Sequence, residues 1–148
     1  MIQYRGAGLD NVFIRNGYRI GQTASGTETL YIEDVFGLHR ALAEWLCDSP
    51  HRLTPSEFRF LRKELELSQK ALGEILRVKE GTVSTWERGT YPIEKLADVV
   101  LRALVKETIS GNAAVKEVLQ RVSQKECAEL WDATRMEFEA APEWRHAA

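Results

Sequence analysis

The stretch Ser68–Gly89, SQKALGEILRVKEGTVSTWERG, decides the fold. Its spacing predicts two short helices joined by a tight turn. Ser68 caps the first, on which Leu72, Ile75 and Leu76 face inward, and Gly73 falls where a second helix can approach closely. After the turn, Val83 and Trp86 anchor a second short helix, and Gly89 stops it just past its C-cap. Helix pairs of this kind can hold nucleic acid, yet the whole chain of 148 residues has a formal net charge of -2.

The charge is unevenly spread. Residues 1–50 carry four Lys/Arg against six Asp/Glu, residues 51–106 eleven against eight, and residues 107–148 five against eight. Only the middle third, with its local charge of +3, suits a phosphate backbone, and it contains the helix pair.

Working outward, LTPSEF offers Thr54 as N-cap, Pro55 at the first helical position and Glu57 at the third, the pattern of a capping box. It predicts a helix from about Pro55 to Glu66 with Phe58, Leu61 and Leu65 on its apolar face. YPIEKLADVVLRALV predicts another from about Pro92, facing inward through Leu96, Val99, Val100, Ala103 and Leu104.

The first 50 residues read as a small hairpin or sheet followed by a helix. Two β-prone runs flank Asn16-Gly17, the pair that favours a two-residue hairpin turn, and Glu28–Glu33 supplies a third strand. After Gly37, the residues Leu38, Leu42, Trp45 and Leu46 form one helical stripe that ends near Asp48. At the other end, Val115, Val118, Leu119 and Val122 mark one amphipathic helix. Cys127, Leu130, Trp131, Thr134 and Phe138 mark a second. These helices either pack on their own domain or form a dimer or partner surface.

With 44% apolar residues, the chain is long enough for a core of one or two small domains. No apolar run approaches the roughly 20 residues that span a bilayer, so no membrane partner is expected and the reading is cytoplasmic. Cys47 and Cys127 are far apart, and His39, His51 and His146 stand singly in the sequence. Neither a metal site nor a nucleophile–base constellation is therefore expected, and the reading is of a non-enzyme without cofactors.

Arg62, Ser68-Gln69, Leu72-Gly73, Val78, Val83 and Trp86-Glu87-Arg88-Gly89 together resemble the helix-turn-helix of the Xre/Cro/phage-repressor family. YRGAGLDNVFIRNGYRI, GLHRALAEWL and LTPSEFRFLRKELELSQ extend the likeness over roughly residues 4–105. Over that length the chain is similar to the YgiT-type zinc-finger/helix-turn-helix proteins, which include MqsA-like antitoxins. It departs from that pattern at two places. Gln22 and Ser25 stand where the family has zinc cysteines, so no zinc is expected; Arg77 and Lys79 replace the turn glycine and the serine N-cap.

The resemblance implies a mainly α fold with a small N-terminal β-hairpin or sheet, and a lambda-repressor-like helix-turn-helix domain over residues 51–106. C-terminal amphipathic helices follow over residues 107–148. It places Gln69, Arg88 and Lys95 at phosphates, and Lys79, Glu80, Gly81, Ser84 and Thr85 in the major groove. Arg62 and Glu87 become an internal ion pair. Residue by residue, structural readings stand beside these, since Gln69 can cap its helix and Lys79 and Arg88 can be solvated charges. The expected function is sequence-specific binding of double-stranded operator DNA by a homodimeric transcriptional repressor. The alternative is an antitoxin-like protein that neutralises a toxin partner and autoregulates its operon.

Overall fold

The computed structural model describes residues 1–111, 114–123, 138–140 and 144–146. These residues are mainly helical, with small antiparallel strand pairs. In chain order the elements are β1 (Ile2–Gln3), β2 (Phe13–Ile14), β3 (Tyr18–Gln22), β4 (Glu28–Ile32), α1 (Val35–Asp48) and α2 (Pro55–Glu64). Then come α3 (Gln69–Leu76), α4 (Glu80–Glu87), α5 (Lys95–Ile109), α6 (Ala114–Ser123), β5 (Phe138–Ala140) and β6 (Trp144–His146).

Helix α2 sits at the centre because it meets three neighbours, α1, α4 and α5. Phe58, Leu61 and the C-cap Leu65 are buried there, and the capping box is closed in both directions: Glu57 N–H donates to Thr54 Oγ1, and Thr54 N–H to Glu57 Oε1 at 2.8 Å. Helix α1 packs on α5. One apolar core runs from Tyr4, Leu9 and Val12 through Ala43, Leu46 and Phe58 to Leu104 and Val105.

Three expectations for the first half need correction. Asn16-Gly17 does not turn a hairpin between β2 and β3. Strand β2 pairs with β1, β3 pairs with β4, and the turn falls at Thr23–Thr27, where Gly26 has φ +84°. The local turn signal yields because Tyr4 N–H donates to the Val12 carbonyl and Tyr4, Leu9 and Val12 are buried, which holds β1 and β2 against the body. Helix α1 starts at Val35, before Gly37, with Asp34 as its cap. Trp45, read as inward, is 63% exposed, and Ala43 fills the buried position instead.

Helix α5 begins at Lys95 rather than near Pro92, because Ile93 is drawn into the core ahead of the helix. Its inward face is also turned from the predicted one. Ala97, Leu101, Leu104 and Val105 are buried, whereas Leu96, Val99 and Ala103 are exposed. In α6, Leu119 packs against the core while Val115 and Val118 remain about half exposed. Phe138 opens a strand instead of closing a helix; Cys127, Leu130, Trp131, Thr134 and the Val122 side chain lie outside the described residues.

Candidate nucleic-acid interface

Ser68 Oγ accepts from Ala71 N–H at 3.0 Å and starts α3. The helix closes with Arg77 in the left-handed region (φ 60°, ψ 39°), a conformation that costs a non-glycine residue about 1–2 kcal/mol. That reversal lets Val78 N–H reach the Gly73 carbonyl at 2.9 Å. A Cβ at Gly73 would lie 2.8 Å from the Val78 carbonyl oxygen, so this close approach requires glycine.

Helix α4 follows from Lys79, which makes no side-chain cap bond. Val83 and Trp86 are buried, the Trp86 ring standing edge-on to Phe58 at 5.8 Å. With those two side chains fixed inward, helical spacing turns Gly81, Ser84, Thr85 and Arg88 to the opposite side. Lys79, Glu80, Gly81 and Arg88 are exposed, and Ser84 and Thr85 half-buried. A cleft of about 640 Å³ runs along this side, between Lys79, Gly81, Thr82 and Thr85 and the segment Tyr91, Pro92, Glu94. Sequence reading missed Thr82 and the exposed Tyr91 ring here, because Tyr91-Pro92 looked only like a helix start.

Two side chains on this outer side of α4 are partly committed. Thr85 Oγ1 donates to the Thr82 carbonyl at 2.7 Å, so its hydroxyl offers a ligand only acceptor lone pairs beside its methyl group. Arg88 Nε donates to the Ser84 carbonyl at 3.3 Å and leaves the rest of its guanidinium outward. Lys95 is exposed at the start of α5, but it lines a different cleft, with His51, Arg52 and Val99.

Behind α4, Arg62 and Glu87 form a bidentate ion pair at 2.7 and 2.8 Å, their side chains 10% and 3% exposed. Arg62 Nη1 also donates to the Leu67 carbonyl, and Gln69 Nε2 to Glu87 Oε1 at 3.3 Å. Gln69 is thus tied to the end of α4, with its amide oxygen left to accept.

A second clamp was not foreseen. Arg102 pairs with Asp98 one turn earlier at 2.6 Å and donates to the carbonyls of Leu46, Ser49 and His51. Asp98 Oδ2 accepts from Leu53 N–H. Nearby, burial pushes the Cys47 thiol up to about 11, reinforced by Asp48. Lys106 is raised by its hydrogen bond to Asp48.

His39 and His51 do not stand singly once the chain is folded. Tyr4 Oη and His39 Nε2 are 2.8 Å apart, and His39 Nδ1 lies 3.2 Å from Glu64. Burial, then the Glu64 charge, raises the Tyr4 hydroxyl. His51 bridges Ser49 and Glu57 at 3.0 and 3.2 Å. That trio has the members of a nucleophile–base–acid chain. Its carboxylate also closes the capping box and its serine is the α1 C-cap, so the chemistry on display is attachment of the α1–α2 connection.

At the two positions where the resembled family has cysteines, Gln22 ends β3 opposite Glu28, and the Ser25 hydroxyl bonds those of Thr23 and Thr27. No helix among the described residues is long and apolar enough to cross a membrane. Compared with known proteins, the chain matches no family model, no curated protein and no solved structure.

Proposed function

We propose that the chain is a sequence-specific DNA-binding transcriptional repressor of Xre type. In this reading α3, its turn and α4 act as a helix-turn-helix within a lambda-repressor-like domain, and α4 enters the major groove of double-stranded operator DNA. The observation that carries it is the division of α4 into two faces. Val83 and Trp86 are buried on one, and Lys79, Glu80, Gly81, Ser84, Thr85 and Arg88 collect on the other, along an open cleft. The tie from Gln69 to Glu87 fixes the start of α3 to the end of α4, the geometry needed for one helix to brace on phosphates while the other reads bases. Glu80 would accept from a cytosine amino group, and the Thr85 methyl would meet that of thymine.

A homodimer fits this role, because paired half-sites multiply a modest single affinity. The outward ridge of α5, Leu96, Val99 and Ala103, and Val115 and Val118 on α6 are the apolar surfaces available for it. No reaction and no cofactor belong to this reading, in which the protein works in the cytoplasm. The alternative is antitoxin-like neutralisation of a toxin protein. It is favoured by the β3–β4 hairpin, whose Ile20, Leu30 and Tyr31 are exposed near the start of α1, where Phe36 is 86% exposed.

The test is a salt-series titration of wild type, Thr85→Ala and Arg88→Ala against a duplex selected from a random pool and a scrambled duplex. Thr85→Ala should weaken the selected duplex by about 1 kcal/mol, the low end for a base contact because the hydroxyl proton is already used. Arg88→Ala should weaken both duplexes alike and lower the salt slope by about 0.9. Absence of any selected sequence, with both variants equal to wild type on every duplex, would move the function to a protein partner.

A further inference from the structure

Beside the end of α4 lies a third concavity, to which the helix pair contributes Glu87. It encloses about 400 Å³ between the Arg5–Gly8 loop and the outer side of α2, with Ser56, Arg59, Lys63 and Glu64 on one wall and Glu87 at its inner end. Residues 56, 59 and 63 share one helical face at spacings of three and four, so Arg59 and Lys63 project together. The loop opposite is held down by the contacts of Tyr4. The Tyr4 ring lies so close to Gly6 that a Cβ there would be 2.5 Å from its hydroxyl oxygen, and that hydroxyl bonds His39. His39 in turn bonds Glu64 and stands edge-on to Phe60.

The charges around this cleft are not balanced in what they hold. Both carboxylates are engaged, Glu87 by Arg62 and Gln69, and Glu64 by His39. Among the described residues, the side chains of Arg59 and Lys63 have no hydrogen-bond or ion-pair partner, and that of Arg5 has only Gln3. Three cations around a concave wall, two of them with every donor free, make an anion site, and the low-dielectric walls focus its field. Its position selects the anion. Glu87 lines this cleft and also accepts from Gln69, so the cleft adjoins the start of α3, where the DNA-binding reading places a backbone phosphate.

The geometry points to this cleft as a seat for backbone phosphates of the bound duplex outside the half-site read by α4, held by Arg59 and Lys63 with Arg5 at the rim. The inference rests on the DNA-binding reading above and extends it to the N-terminal third of the chain. Contacts of this kind add affinity and orientation without sequence information.

The experiment compares wild type, Arg59→Gln/Lys63→Gln and Lys106→Gln, each with its melting temperature checked, on the selected and scrambled duplexes across a chloride series. Lys106 lies at the far end of α5 beside Asp48 and controls for net charge. The double variant should melt like wild type, keep the ratio between the two duplexes, and lose roughly 1.8 from the salt slope, about 0.9 for each phosphate released. Lys106→Gln should keep the wild-type slope. An unchanged slope in the double variant overturns the inference, as does an equal fall in Lys106→Gln. In a separate arm, inorganic phosphate is added at matched ionic strength. If it raises the melting temperature of wild type but not of the double variant, the cleft is a free-anion site and the duplex assignment is wrong. Should wild type bind no duplex at all, the DNA-binding reading fails and this one with it, whereas binding with an unaltered slope in the double variant sinks this one alone.

Discussion

Arg62 and Arg102 are both guanidinium groups drawn almost out of water, 10% and 14% exposed, yet they hold different parts of the molecule in different ways. Arg62 reaches 25 residues along the chain to Glu87, so its pair exists only when α2 and α4 are already packed. Arg102 pairs with Asp98 on its own helix and spends its remaining donors on three carbonyls at the end of α1 and beyond it. The first region is a tertiary lock under the proposed reading face. The second is a prefabricated cap that ties the α1–α2 connection to α5. A buried ion pair thus reports on what its spare hydrogen bonds reach, more than on stability as such.

That contrast can be broken by substitution, and the largest effect is expected at Arg102. Arg102→Ala leaves the buried Asp98 without its guanidinium partner and removes a donor from three carbonyls, a cost of about 3–5 kcal/mol in urea unfolding. On the proposed DNA-binding function, the folded fraction should keep the DNA affinity of wild type. A loss of DNA affinity at saturating folded protein would show that the two regions are coupled.

Glu87→Gln should cost less, about 1.5–3 kcal/mol, because the amide oxygen still accepts from Arg62 while the charge is lost. Here DNA affinity should fall as well, since Gln69 and the end of α4 lose their common anchor. Equal affinity with reduced stability would reduce the first clamp to the same scaffolding role as the second.

The smallest effect sharpens the picture of the second region. Cys47 Sγ donates to the Arg102 carbonyl at 3.4 Å, and burial holds the thiol near 11 against an ordinary value near 9. At pH 8 its alkylation should therefore be about a hundredfold slower than that of a free thiol, and urea should restore the rate. Because the protonated thiol is the form the fold prefers, its contribution to stability is complete below pH 9 and is lost as the pH rises toward 11. Rapid alkylation at pH 8 without denaturant would mean that this side of α5 opens readily.

The two clamps were also unequally legible. Glu87 and Arg62 stood out through the resemblance to the Xre-type helix-turn-helix, which implied that they pair. Asp98 and Arg102 carried no such mark, and the apolar spacing around them misled. Residues 96, 97, 99, 100, 101, 103, 104 and 105 are all apolar, so α5 has apolar side chains around most of its circumference and periodicity fixes its phase poorly. Asp98 settles the phase, because it must reach Leu53 N–H, and that turns Leu96 and Val99 outward.

Most of the α4 face was legible for the opposite reason, since two large side chains three residues apart, Val83 and Trp86, leave a short helix only one way to sit. The cleft around Arg59, Lys63 and Arg5 was not, because it joins residues more than fifty positions apart.

The sequence by itself determined what depends on neighbours within a few residues: the capping box at Thr54 and Glu57, the Ser68 cap, the α3 glycine Gly73 against which the turn packs, and the inward pair on α4. Tertiary structure alone decided which strands pair, which side of α5 faces inward, and how His39, His51 and Arg102 are occupied. The reason is one of range. A cap or a turn is closed by bonds a few residues long, whose preference the local sequence carries in full. A strand partner or a helix phase is chosen by burial summed over the whole core, and there the burial of Tyr4, Leu9 and Val12 outweighs an Asn16-Gly17 turn.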